Sequence, residues 1–219
     1  MDIVIPYIHS EANELRYALR SICKYQEHDK LLLVGDTPEW YKGDKISVEY
    51  VLGRPEFDVT RKILMAIPRL SKDFILWQDD IYKLNSNKIK PVYCDTLSNA
   101  LSKRREGRFK GIMQNTLAAF PDGYYYGGHT PMIINGEKFK QAVETHWTRD
   151  LIPKTMYGNF AGIGGELVSD CKLNGRLPYP IIKSFIQGKD YFSTGHFSMN
   201  KDMVKVLDEL FPDKCKYEK

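Results

Sequence analysis

The sequence predicts an α/β fold, a mostly parallel sheet with helices on both faces, and three observations carry that reading. Residues 2–80 run strand, helix, strand, strand, helix, strand, an order that parallel strands with crossover helices produce. The strand-like runs are short and nearly continuous in apolar residues, as strands buried on both faces are. The composition, 42% hydrophobic, 27% charged and 12% aromatic, is that of a globular chain and excludes disorder, collagen and coiled coil.

Taken in order, residues 2–8 form a first strand, bounded by Pro6 and a polar stretch. Ser10 is placed to cap a helix carrying Glu11 and Glu14 in its first turn, with Ala12, Leu15, Leu19, Ile22 and Cys23 on one stripe. Residues 30–36 make a second strand, ending in Gly35 and Asp36, and 46–52 a third. Asp58 is placed to cap a second helix with Val59, Ile63, Leu64, Ile67 and Leu70 on one face; residues 74–77 then form a strand that runs into Gln78-Asp79-Asp80. The second half is less regular. A basic helix is expected over 96–105, a strand over 109–117, a glycine-marked loop over 122–129, helices over 137–146 and 204–211, and a glycine-rich turn over 158–165.

Open sheets of this kind bind ligands beyond the carboxyl ends of their strands, so Tyr7, Asp36 and Asp79/Asp80 share one rim. Two adjacent carboxylates there suit a hard cation, Mg²⁺ or Mn²⁺, which takes one or two carboxylates plus phosphate oxygens and water; a solvated turn is the alternative. Asp36 can accept hydrogen bonds from a base or ribose, and the Pro6-Tyr7 segment offers a ring to a nucleobase. Arg16 and Arg20 share a helical face from which a phosphate can be reached, and Arg61 is placed to neutralise a diphosphate. His129, after Gly127-Gly128, and His196, in Ser193-Thr194-Gly195-His196-Phe197, are each suited to a metal or a phosphate. Asp150, Glu166 and Asp170 are candidate general bases, and His129 joins Asp150 and Glu166 as a candidate catalytic residue.

Residues 158–165 lack the Gly-Lys-Ser/Thr ending and the preceding strand of a phosphate-binding loop, and no nucleophile elbow is present, which disfavours acyl transfer. Lys103-Arg104-Arg105, Arg108 and Lys110 form a basic cluster that reads either as a solvated helix end or as a dock for a polyanion. The net charge of +4 permits an anionic partner without requiring one. Cys23, Cys94, Cys171 and Cys215 lack the close spacing of a zinc or redox motif and are expected to be reduced, in a cytoplasmic protein. Neither a secretory leader nor a membrane span is expected.

The first strand Ile3-Val4-Ile5-Pro6-Tyr7, the helix segment 15–22, the Asp-terminated second strand and the strand ending in Asp79-Asp80 together resemble a GT-A glycosyltransferase. Residues 14–21 and 74–80, and more weakly His129-Thr130-Pro131, also resemble Stealth-type sugar-phosphate transferases; small phage-encoded sugar transferases, some acting on modified DNA bases, are similar in size and layout.

The GT-A resemblance implies a single domain over 1–219 with a mostly parallel central sheet flanked by helices. A Rossmann-like nucleotide-sugar-binding half would span 1–85 and an acceptor half 86–219. It implies a nucleotide-sugar donor, a UDP-sugar above others, whose diphosphate is bridged by Mn²⁺ or Mg²⁺ on Asp79 and Asp80, with His196 completing the metal shell. The usual Asp-x-Asp motif is replaced here by adjacent acids. The expected activity is sugar transfer to an acceptor hydroxyl, on DNA or a glycan, in the cytoplasm (of a host cell if the protein is viral). The alternatives are sugar-1-phosphate transfer and a non-catalytic nucleotide or nucleic-acid binding module.

Overall fold

The apolar runs of the first half pair as a five-stranded sheet in a computed structural model that describes residues 1–146, 150–195 and 197–219. Strands β1 (Asp2–Tyr7), β2 (Leu31–Gly35), β3 (Asp44–Ser47) and β4 (Asp73–Leu76) run parallel in the order β3-β2-β1-β4, and β9 (Met132–Asn135) closes the β4 edge antiparallel. The register sets Tyr7 beside Gly35 and Val4 beside Leu76, so the carboxyl ends of β1, β2 and β4 open on one edge.

Alternation along each strand divides the core. Val4, Leu32, Val34 and Leu76 face helices α2 (Pro55–Ala66), α5 (Gly136–His146) and α6 (Pro153–Phe160), while Ile3, Ile5, Leu31 and Leu33 face α1 (Glu14–Tyr25). This is the mostly parallel, helix-flanked sheet that the sequence predicts.

Beside it, β5 (Ile81–Lys83) pairs with β12 (Tyr191–Thr194), which also carries β11 (Lys172–Leu173). This small sheet packs Tyr82 and Phe192 on α7 (Tyr179–Ile186) and α8 (Lys201–Leu210). The pairs β6 (Val92–Tyr93) with β10 (Glu166–Leu167) and β7 (Asp95–Thr96) with β8 (Tyr124–Tyr125) complete the strands. Helices α3 (Leu97–Ser102) and α4 (Arg108–Ala119) pack together around Leu97, Ile112 and Met113. Among the described residues no helix is long and apolar enough to cross a membrane.

Several boundaries differ from expectation. Residues 109–117 belong to α4 and not to a strand, because Phe109, Ile112, Met113 and Leu117 fall at helical spacing and cover one face. Helix α1 starts at Glu14, after Asn13 in a left-handed conformation (φ 51°), while Ser10 closes a turn by accepting from the Ala12 N–H at 3.2 Å. Helix α2 starts at Pro55, whose fixed φ suits a first helical position, leaving Asp58 inside the first turn as an ion-pair partner. The third strand is β3, shorter and earlier than 46–52; the basic helix shrinks to α3, capped by Thr96; and Gly158 lies within α6.

Candidate active site

At the carboxyl edge of the sheet lies a cleft of about 550 Å³, bounded by Pro6 near the end of β1, Lys62 of α2, and Gln78-Asp79 after β4. Its far wall comes from the second half of the chain, through Arg104, Tyr125, His129, Lys154 and Lys172. The β4–β5 turn is held shut by Trp77, fully buried, whose indole N–H donates to the Ile81 carbonyl at 3.0 Å. That closure presents the two acids at the tip.

Asp79 lines the cleft. Burial first, then the neighbouring Asp80 and Glu14 carboxylates, push its acid up to about 8, against the pull of Lys172. Asp80 accepts from the Ser193 hydroxyl through Oδ2 at 3.0 Å and lies 3.5 Å from Lys172 Nζ, whereas its Oδ1 is buried with no hydrogen-bond partner among the described residues. Glu14, in the first turn of α1, accepts from the Thr194 hydroxyl at 3.0 Å on the same side. A crowded carboxyl beside an orphaned carboxylate oxygen is the donor chemistry a hard divalent cation satisfies. Asp79 and Asp80 therefore fit Mg²⁺ or Mn²⁺ as two protein ligands, the rest of the shell falling to phosphate oxygens and water. Among the described residues no three His, Cys, Asp or Glu side chains gather as a cage, and His196, expected as a further ligand, lies outside the described residues.

Facing these acids are three lysines that the sequence reading did not single out. Lys62, 1% exposed, donates to the Tyr7 carbonyl at 2.8 Å and pairs with Asp58 at 2.7 Å. Gly35 makes the room: a Cβ there would fall 2.0 Å from the Tyr7 oxygen and 2.8 Å from Lys62 Nζ. Lys154 donates to the Gly128 and Thr130 carbonyls, both at 2.6 Å, and burial pulls its ammonium down to about 8. Lys172 approaches His129 Nε2 at 3.1 Å. His129 Nδ1 in turn meets Asp170 at 2.9 Å, so the ring donates from Nδ1 and accepts at Nε2. Burial works to raise the Asp170 acid, but His129 and two backbone N–H groups outweigh it and hold it below the usual carboxylate range.

No protein-family model matches the chain, and no curated protein does. Among solved structures the chain is similar to the galactosyltransferase LgtC, solved with donor and acceptor sugar analogues, at 14% identity over 100% of this chain and 85% of that one, with a TM-score of 0.46. It is also similar to a glycosyltransferase involved in glycosylating the major capsid of PBCV-1 (12% identity, 95% and 98% covered, TM-score 0.47). A third likeness is to the glycosyltransferase GlyE of Streptococcus pneumoniae TIGR4 (11% identity, 97% and 60% covered, TM-score 0.46).

The other predicted residues divide by position. Pro6 lines the cleft, and Tyr7 is buried behind it with its hydroxyl 3.1 Å from the Ser10 N–H. Asp36, at the end of β2, accepts from the His9 N–H at 2.7 Å and so ties the loop after β1 to the same rim. Arg61 is turned away from the cleft: it pairs with Asp58 at 3.1 Å and with the Glu49 carbonyl, because successive helical residues cannot share one face and Lys62 takes the inner one. Arg16 stacks 4.1 Å from Trp40 and pairs with Glu218, so it does not reach the cleft. Asp150 is held by Arg54 beyond the cleft walls. Glu166 lies in a separate groove of about 410 Å³, with Lys90.

The basic cluster is largely neutralised. Lys103 pairs with Asp95 at 2.6 Å, Arg108 makes a bidentate pair with Glu56 at 2.6 and 3.1 Å, and Lys110 pairs with Glu106.

Proposed function

We propose that the protein is a metal-dependent glycosyltransferase that moves a sugar from a UDP-sugar to an acceptor hydroxyl, with residues 1–85 serving the donor nucleotide and 86–219 serving the acceptor and completing the diphosphate and metal site. The observation that carries this is the charge pattern at one cleft: Asp79 in its wall, with Asp80 next to it and 3.5 Å from Lys172, facing the lining lysines Lys62, Lys154 and Lys172 at the carboxyl edge of a parallel sheet. Such a surface complements a diphosphate that shares a cation with the carboxylates.

Pro6, the Tyr7 segment and Asp36 border the nucleoside. Bound to Asp79 and Asp80, Mg²⁺ or Mn²⁺ would supply Lewis-acid stabilisation of the diphosphate. The three ammoniums accept the charge that develops as the bond between the anomeric carbon and the diphosphate oxygen breaks and its electron pair leaves with the diphosphate. A new bond forms from the anomeric carbon to the acceptor oxygen. The acceptor's proton goes to His129 Nε2, which Asp170 keeps as the accepting nitrogen by holding Nδ1 and which Lys172, its present donor at 3.1 Å, releases on turning to the diphosphate. Of the candidate catalytic residues, His129 and Asp170 border the cleft; Asp150 and Glu166 stand outside it.

The test is metal-dependent turnover of a panel of UDP-sugars, with the nucleotide product analysed. UDP release is expected, and Asp79→Asn or Asp80→Asn should each lower it by about 100-fold or more without lowering the melting temperature. Release of the nucleoside monophosphate would mean sugar-1-phosphate transfer, and full activity in excess EDTA would remove the metal. Turnover of no donor, with steeply salt-dependent DNA binding, would leave a binding module.

A further inference from the structure

We infer that the part of the far wall built by Arg104, Phe109 and Tyr125 is an acceptor subsite for a sugar bearing one anionic group, a carboxylate or a phosphate, and that Arg104 recognises that group. The inference rests on the glycosyltransferase reading for the word acceptor, but its observations are separate from the metal and lysine groups. Arg104 is exposed, borders the cleft and has no carboxylate partner among the described residues, unlike Lys103, Arg108 and Lys110 around it. It is nonetheless fixed. Its Nη2 donates to the Tyr125 hydroxyl at 3.1 Å, and its guanidinium carbon lies 5.3 Å from the Phe109 ring centroid and 5.6 Å from that of Tyr125.

Stacking of this kind orders the guanidinium while leaving most of its donor fork open, the arrangement that receives a carboxylate or phosphate through two parallel hydrogen bonds. The aromatic shelf is itself built in. Tyr125 is 7% exposed, and Gly127 leaves it room, since a Cβ there would fall 2.1 Å from the ring. Rings edged by a cation suit a sugar, whose C–H face packs on the aromatic while its acid group meets the arginine.

Position assigns the wall to the acceptor. Arg104, Phe109 and Tyr125 come from the α3–α4 connection, α4 and β8, and Tyr125 packs in the cluster of Leu97, Ile112 and Met113, whereas the carboxylates and Lys62 come from the sheet edge and α2. Lys103, Arg108 and Lys110 are already neutralised, and Arg105, which also has no carboxylate partner among the described residues, stands outside the cleft. Arg104 is therefore the arginine of this cluster left to meet a ligand there, which fits one anionic group and not the repeated phosphates of a nucleic acid, which need a stripe of free cations.

The experiment uses the full chain with UDP and Mn²⁺ present and measures binding of a neutral hexoside, the matching uronic acid, the matching 6-phosphate and a short single-stranded oligodeoxynucleotide. The wild type is expected to bind at least one of the acidic sugars about tenfold more tightly than the neutral one; whichever acid is preferred names the group. Arg104→Gln should bring acidic and neutral sugars to near parity, Arg104→Lys should restore part of the preference, and Arg105→Gln, outside the cleft, should match the wild type. Matching melting temperatures among the variants establish that the fold is kept.

Equal binding of acidic and neutral sugars by the wild type, or no binding of either, overturns the inference. So does an Arg104→Gln variant that weakens both equally, or an oligonucleotide that binds more tightly than any sugar. If the charge preference holds while no UDP-sugar turns over, the transferase reading fails and the anionic-sugar site stands; turnover without the preference gives the reverse.

Discussion

At the scale of single residues, Lys154 is the group whose chemistry the fold alters most usefully. The residue is 8% exposed, its ammonium lies between two backbone carbonyls, and burial lowers it from 10.5 to about 8. An unfolded lysine keeps its proton up to the higher value, so between about 8 and 10.5 the unfolded state binds more protons and stability rises with pH. The full gap corresponds to about 3 kcal/mol. Urea unfolding at pH 7.5 and at pH 10 should show this gain in the wild type, and Lys154→Met should lack it; parallel pH profiles for the two proteins would contradict the assignment. Donor binding should follow the opposite course. The charged amine serves the diphosphate, so the KM for the donor rises as pH climbs through about 8, and this step disappears in Lys154→Met.

The strongest constraint on an element is the one the C-terminal segment places on α1. Glu218 has a fully buried side chain that accepts from Arg20 at 2.8 and 2.9 Å, from Arg16 at 3.1 Å and from the Cys215 N–H at 3.1 Å. Tyr217 stacks on Tyr41 and meets His28 at 2.7 Å. The helix so clamped carries Glu14 to the acid pair. Glu218→Ala leaves two arginines without their anion and should cost about 3–5 kcal/mol, read from denaturant unfolding; a loss below about 1 kcal/mol would place the clamp among surface ion pairs. Burial pushes the Glu218 acid up, but Arg20, the Cys215 N–H and Arg16 outweigh it and hold it below 4.5. The stability it contributes is therefore present at neutral pH and lost as pH falls below that value.

The same helix shows what a sequence can reveal about an element. The stripe of Leu15, Leu19 and Ile22 locates its buried face correctly, because burial follows local periodicity. The partner of Arg16 lies 202 positions away, where no local pattern reaches, so a structural arginine reads as a phosphate ligand. In α4 the periodic signal is present in the apolar positions 109, 112, 113 and 117, and the expected strand overlooks it.

At the scale of the molecule, the legible part of the site is the part made by strand ends. Parallel strands that finish at Tyr7, Gly35 and Leu76 put Pro6, Asp36 and Asp79 on one edge by topology alone. Lys154, Lys172 and Arg104 arrive through the irregular half, by packing between segments far apart in sequence, and leave no spacing to read. The two contributions are opposite in charge, and this yields a prediction. Asp80 repels a bare diphosphate, joined by Asp79 as pH rises through about 8 and its acid ionises, while the lysines attract it, so UDP alone should raise the melting temperature of the wild type little. UDP with Mn²⁺ at about 100 times its Kd should add about 2.7 kcal/mol, a rise of about 5–10 °C for a chain of this length. In the double variant Asp79→Asn/Asp80→Asn the repulsion is gone and the lysines remain. UDP should then stabilise the protein without metal, and Mn²⁺ should add nothing further. A metal increment that survives in the double variant would place the cation elsewhere, and a variant that UDP cannot stabilise would show that Lys62, Lys154 and Lys172 do not hold the diphosphate.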